Sequence, residues 1–202
     1  MYSVLRTPYD DSNIVVVENP FKTHEEAWLF RNVLLKNPDI IGVAPKNDGS
    51  WSTMAKLNTD STIQFHYETV DETYLPTLKI PLVLGRNFSK NFPSDSANSV
   101  LVNETFVKQA GWKNPIGQTV NFWYNNNKTY SVIGVVKDYH FQSLDKKIEP
   151  QLFTMKSDNS FGMVYIKIKP KTAASSLQAI QKSFKQLFPL SPYSYVFMND
   201  KN

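Results

Sequence analysis

Asn13-Ile14-Val15-Val16-Val17-Glu18, followed by Pro20, Lys22-Thr23, an amphipathic run ending near Asn37-Pro38, and Ile40-Ile41-Gly42-Val43, is a unit that returns near the other end of the chain. There, Gly162-Met163-Val164-Tyr165-Ile166-Lys167-Ile168 is followed by Pro170, Lys171-Thr172, an amphipathic run ending at Phe188-Pro189, and Tyr193-Ser194-Tyr195-Val196-Phe197. Each copy reads strand, turn, helix, Pro stop, strand. In the first copy Thr23 and Glu26 have the spacing of a capping box. Ala27, Phe30, Val33 and Leu34 then recur at helical spacing and are expected to face a sheet. In the second, Thr172 is expected to cap a helix whose stripe is Leu177, Ile180, Phe184 and Leu187.

The hundred-odd residues between the copies have a different texture. Ser61–Val70, Ile80–Gly85, Ser99–Val102, Thr119–Tyr124, Thr129–Val136 and Gln151–Met155 read as strands, with a helical or turn segment over Asp71–Leu78. Asn103 is placed to cap a short helix reaching Ala110, with Gly111 at its C-terminal end. Asn125-Asn126-Asn127-Lys128 reads as a hairpin turn. The expected fold class is therefore α+β: a split ferredoxin-like βαβ–βαβ domain, residues 1–58 and 157–202, with an inserted mostly-β subdomain, residues 59–156. In that arrangement the first and last strands are antiparallel neighbours, so both chain ends leave the same end of the sheet. Residues 46–60 and 155–161 are expected to be the two hinges between the parts, being rich in turn formers such as Asn47, Asp48 and Gly49.

Composition narrows the function classes. A chain of 202 residues with 41% hydrophobic, 13% aromatic and 20% charged residues is an ordinary globular protein with a sizeable core. The net charge of +4 is scattered, which argues against a nucleic-acid partner. With no cysteine, disulfides, Cys-ligated zinc and thiol chemistry are excluded. No window approaches the roughly 20 apolar residues of a membrane helix, and no basic-then-apolar leader opens the sequence. Tyr2-Ser3-Val4-Leu5 reads like the middle of something longer.

Three segments of the middle region carry a family resemblance. They are Tyr74 through Leu78 to Ile80-Pro81-Leu82 and Gly85-Arg86-Asn87-Phe88; Val100-Leu101-Val102-Asn103-Glu104 through Gly111-Trp112 to Pro115-Ile116-Gly117; and Ile133-Gly134-Val135-Val136-Lys137-Asp138-Tyr139-His140-Phe141 to Ser143-Leu144, then Ile148 and Pro150. In this order and spacing they resemble the MacB-like periplasmic core domain of ABC transporter permeases, a group that includes FtsX-like permeases. The resemblance spans roughly residues 60–155, and the flanking units agree in layout.

That resemblance implies a non-catalytic extracytoplasmic domain anchored between two membrane helices. It implies a cytoplasmic ATPase as partner, fused or separate, and a periplasmic adaptor or substrate outside. It also implies a homodimer in the full permease and a monomer for the domain alone. No cofactor and no metal is implied. The output would be substrate export, lipoprotein release or signalling. The alternative is a free-standing periplasmic module that binds a ligand or protein.

The motif residues have structural readings of their own. Gly85 is expected at positive φ, Arg86 beside a carboxylate or carbonyl, and Phe88 in the core. Asn103 and Glu104 open a helix, Pro115 and Gly117 fix a turn, and Gly134 lies inside a strand. Asp138 and His140 follow that strand. With Ser143 they could be drawn as a nucleophile and base, but the strand–turn–helix elbow of a hydrolase is missing. His24, His66 and His140 lack the spacing of a metal site. No Gly-x-x-x-x-Gly-Lys-Ser/Thr phosphate loop occurs. Trp123 and Tyr124 at the expected hairpin tip are the candidate partner contacts.

Overall fold

The computed structural model describes residues 12–18, 21–49, 51–58, 60–123, 125–140, 146–156 and 158–198. Along them run β1 (Ile14–Glu18), α1 (His24–Leu34), β2 (Ile40–Lys46), β3 (Trp51–Leu57), β4 (Thr62–Thr69), α2 (Tyr74–Leu78), β5 (Leu82–Gly85), α3 (Pro93–Asn98), β6 (Ser99–Asn103), α4 (Glu104–Gln109), β7 (Thr119–Phe122), β8 (Lys128–Val136), β9 (Gln151–Thr154), β10 (Met163–Ile168), α5 (Ala173–Leu187) and β11 (Tyr195–Phe197). The protein is mixed α+β.

The repeated unit forms one sheet. Its order is β11-β1-β10-β2, and every neighbouring pair is antiparallel. Val15 lies opposite Phe197 and Val17 opposite Tyr195, so the start of β1 and the end of β11 lie at the same end of the sheet. The unbroken apolar run of β1 has a physical reason: both faces are covered. Val15 and Val17 join Ala27, Phe30 and Leu34 of α1 and Ile180 and Phe184 of α5 in one buried cluster. Ile14 and Val16 join a second cluster on the other face. Thr23 Oγ1 accepts from Glu26 N–H at 3.3 Å, while Glu26 Oε2 accepts from Lys22 N–H at 2.8 Å, one residue before the expected Thr23 N–H. Val33 is only half-buried, so the sheet-facing stripe of α1 is Ala27, Phe30 and Leu34.

Thr172 does not cap α5 through its side chain. Its hydroxyl donates to Lys169 O at 2.8 Å and meets Ser176 Oγ at 2.9 Å. The turn before it, with Lys171 at φ +66°, folds Thr172 back on Lys169, which draws the hydroxyl away from the helix N–H groups.

The middle region builds a second sheet of order β5-β8-β6-β9-β4-β3-β7, and β7 also pairs with β8. The strands β8, β6, β9, β4, β3 and β7 thus form a closed ring. Closure removes the open edges a six-stranded sheet would otherwise present. The inside holds Phe65, Val102, Val120, Phe122, Val132 and Leu152 with Phe106 of α4. Strand β3 falls where the sequence reading expected a hinge, on residues that the boundary at 58 assigned to the flanking unit. Its pairing with β4 and β7 places it in the ring instead. Turn formers at Asn47–Gly49 hide a strand whose inward residues are small or aliphatic, Ala55 and Leu57.

The two sheets share a core. Ile14, Val16, Ala44 and Met163 of the first pack with Leu101, Val136 and Phe153 of the second, with Tyr74, Leu75 and Leu78 of α2 between them. Thr73 Oγ1 donates to Val43 O at 3.1 Å, so the start of α2 covers the edge of β2. Polar contacts tie the crossing chain segments. Asn47 N–H donates to Thr69 O at 3.0 Å and Thr69 N–H to Asn47 Oδ1 at 2.8 Å. Asn159 Nδ2 donates to Thr69 Oγ1 at 2.8 Å. Lys46 Nζ lies 2.5 Å from Glu68 Oε2, both side chains buried, as an ion contact without good hydrogen-bond angles. The residues expected to hinge are therefore bonded across the junction.

Candidate functional site

The motif residues gather on the second sheet and at its border with the first. Gly85 has φ +71°, and a Cβ there would stand 2.2 Å from Ile133 O. Arg86 N–H then donates to that same carbonyl at 3.0 Å. Gly134, on the facing strand, would place a Cβ 2.4 Å from Arg86 O. Both glycines are required because β5 and β8 cross too closely for a side chain. Phe88 is buried in the shared core.

Arg86 finds the carboxylate expected of it. Its Nη1 and Nη2 donate to Asp95 Oδ2 at 2.7 Å and Oδ1 at 2.9 Å. Asp95 also accepts from Ser89 N–H at 2.8 Å and Ser99 Oγ at 3.2 Å, and its side chain is fully buried. Burial alone would raise its pKa; Arg86 and the Ser89 amide outweigh that and hold it below the ordinary carboxylate value. Asp95 and α3 gave no signal in the sequence reading. Only the return of Arg86 onto this segment gives Asp95 its role.

Asn103 and Asp138 serve the start of α4. Asn103 Oδ1 accepts from Phe106 N–H at 3.0 Å and Gln151 N–H at 2.9 Å, and its Nδ2 donates to Glu149 O at 2.9 Å. Asp138 Oδ1 accepts from Thr105 N–H at 2.9 Å and its Oδ2 from Thr105 Oγ1 at 2.7 Å, while Glu104 Oε2 accepts from Asp138 N–H at 2.9 Å. Both oxygens of Asp138 thus bond at a helix start. His140 is half-buried two residues on, and Ser143 lies outside the described residues. Pro115 is buried, and Gly117, at φ +85°, donates its N–H to Val132 O at 2.8 Å. Gly111 takes φ +69° after α4. Among the described residues no group of three or more His, Cys, Asp or Glu is placed to hold a metal.

The hairpin of β7 and β8 forms as expected. Trp123 is half-buried beside it, and Tyr124 lies outside the described residues. Trp123 borders a shallow hollow with Ser52, Met54 and Gln64 on the outer face of the ring. Met54 is 47% exposed there, and it was hidden from the sequence reading because β3 was. This face, with Met54 and Trp123 set among polar residues, is the candidate partner face.

The MacB-like periplasmic core domain matches residues 3–184. The chain belongs to that family. It is the periplasmic core domain of a MacB-like ABC transporter permease, and that membership implies an ATPase partner. Its fold is similar to the periplasmic region of MacB from Actinobacillus actinomycetemcomitans, with a TM-score of 0.72 and 19% identity over 95% of this chain and 91% of that one. It is also similar to the extracellular domain of the noncanonic ABC-type transporter YknZ from Gram-positive bacteria, with a TM-score of 0.68 and 13% identity over 91% of this chain and 100% of that one. No curated protein matches the chain. No helix among the described residues is long and apolar enough to cross a membrane.

Proposed function

We propose that this MacB-like core domain relays ATP-driven motion from membrane helices to an event outside the membrane, and is itself non-catalytic. The observation that carries the reading is the antiparallel pairing of β1 with β11, which brings the chain in and out at one end. A domain hung between two membrane helices needs that arrangement. The permease would work with a cytoplasmic ATPase, fused or separate, and its output would be substrate export, lipoprotein release or signalling. An adaptor or substrate would dock on the face around Met54 and Trp123. The full permease would be a homodimer and the isolated domain a monomer.

In this reading the four-stranded sheet with α1 and α5 is a split ferredoxin-like βαβ–βαβ unit, and the ring is its inserted subdomain. We place the crossing points near residue 49 and near residue 158. The shared core makes the two parts one lever, since a continuous packed interface resists the independent bending that a hinge would allow.

The test uses the full permease with its ATPase. Met54→Glu combined with Trp123→Ala should abolish output while ATP hydrolysis and membrane insertion persist. Undiminished output would remove the docking face from the mechanism. A disulfide joining the four-stranded sheet to the ring should leave output intact, and its loss on cross-linking would restore an internal hinge.

A further inference from the structure

A cleft of about 410 Å³ opens where α1, the turn between β4 and α2, the segment between β5 and β6, and the connection between β9 and β10 meet. Its size is that of a small-molecule site. None of the motif residues that identify the family lines it.

One part of its lining is an aromatic stack. The His24 ring lies on Phe161 with centroids 3.9 Å apart and planes 14° apart. Trp28 meets His24 edge-on at 5.7 Å and remains 40% exposed. A second aromatic, Phe92, comes from the segment before α3 and is 50% exposed. Arg86 holds it in place, its guanidinium 4.6 Å from the ring centroid while Asp95 accepts two hydrogen bonds from the same guanidinium. One exposed aromatic is ordinary on a protein surface. Two from separate elements, each fixed by neighbours and both lining one concavity, are the walls a flat apolar group needs.

The polar part has donors in surplus. Arg31 Nη1 reaches Asp71 Oδ2 only at 3.4 Å, and Arg31 Nε is buried without a hydrogen-bond partner. Asp71 is already engaged, since its Oδ1 accepts both the N–H and the hydroxyl of Thr73. Burial raises its pKa, against the lowering effect of Thr73 and Arg31. Glu72 Oε2 is taken by the Lys90 N–H at 2.6 Å, while the Lys90 ammonium stands 3.9 Å from Oε1 and is largely exposed. The two carboxylates of the cleft are thus occupied by the protein, and the two cations are loosely paired. A planar guanidinium in that state suits a carboxylate, which it can meet with two parallel hydrogen bonds.

We propose that this cleft is a binding site for a small amphipathic carboxylate, its flat apolar body against Trp28 and Phe92 and its acid group on Arg31. Nothing in this step involves the membrane or the ATPase, so it stands apart from the relay reading and can fail without it.

The test uses the 202-residue chain and 2-naphthoate as probe, followed by calorimetry and tryptophan fluorescence. Saturable binding at one site is expected. Arg31→Gln should weaken it about tenfold, the scale of one charge-assisted contact. Trp28→Ala should weaken it similarly, and the neutral 2-naphthamide should bind the native chain weakly and Arg31→Gln no differently. Thermal melts confirm that each variant is folded. Should Arg31→Gln fail to fold, Trp28→Ala and the amide comparison carry the decision alone. Absence of saturable binding up to millimolar probe would overturn the proposal. So would equal affinity for acid and amide in the native chain.

Discussion

Gly85 and Gly134 stand across β5 and β8 from backbone carbonyls closer than any side chain tolerates. Gly85→Ala forces its methyl onto Ile133 O and must push the two strands apart. We expect it to cost about 3 kcal/mol or more, as an alanine at positive φ with a backbone clash. Trp123→Ala, at a half-buried surface position, should cost less than about 1 kcal/mol. Thermal melts of the two variants check the order. Asp95 supplies a prediction with a pH signature. Its pKa is lowered on folding, so its stabilising contribution is present above the ordinary carboxylate value and is lost as pH falls through the lower folded value. Asp95→Asn should destabilise by about 2–3 kcal/mol at neutral pH. The gap to the native chain should close on acidification below about pH 4. Asp71 has the opposite sign: its pKa is raised by burial, so the folded protein holds its proton more readily and its ionised form costs stability at neutral pH. Asp71→Asn should therefore compare best with the native chain at neutral pH and worst in acid. Urea melts at several pH values separate the two residues.

Strand β3 decides the architecture at the level of elements. Its contacts with β4 on one edge and β7 on the other turn an open sheet into a ring. Its alternation is shallow: Ala55 and Leu57 face inward, Met54 and Lys56 outward. Ala55→Glu would set a carboxylate in the neighbourhood of Phe65, Val120 and Phe122, at a cost of about 3 kcal/mol or more. Lys56→Glu, one residue away and exposed, should change stability by less than about 0.5 kcal/mol. Were β3 a linker, both changes would be silent, and denaturant unfolding of the pair tells these cases apart. The same strand presents Met54 beside Trp123, so the element that closes the ring also carries the proposed partner face.

Over the whole molecule, two sheets from interleaved parts of the chain share one buried cluster. Side chains of both sheets lose their covering if either unfolds, which couples the parts. Calorimetry of the chain should give one endotherm. Two resolved transitions would show that the sheets melt separately and would bring back a jointed domain. Glu68→Gln tests the same coupling from the junction. It leaves the Lys46 ammonium buried without its counter-ion and should lower that single transition as a unit, by about 3 kcal/mol.

Elements with a strong local period or a strong cap were legible along the chain. The Val-rich β1, the Thr23 and Asn103 caps, the positive-φ glycines at 85 and 111, and the β7–β8 hairpin all follow from interactions within a few residues or from the steric freedom of glycine. The repeat of one unit near both ends was enough to predict that β1 and β11 lie side by side. Residues 46–60 read as a hinge because a short, weakly alternating strand behind turn formers resembles a linker; β3 pairs along its length with the next strand, β4, but its place in the closed ring depends on β7, more than sixty residues away. Asp95 and the two walls of the cleft were illegible for the same reason. Arg86 meets Asp95, and α1 meets the segment before α3, only after the middle region has folded back onto the first sheet. The sequence by itself determined the family, the repeated unit and the antiparallel pairing of β1 with β11. Tertiary packing alone decided the closed ring, the shared core and the cleft, since each is made of residues distant in sequence that gain their energy from one another.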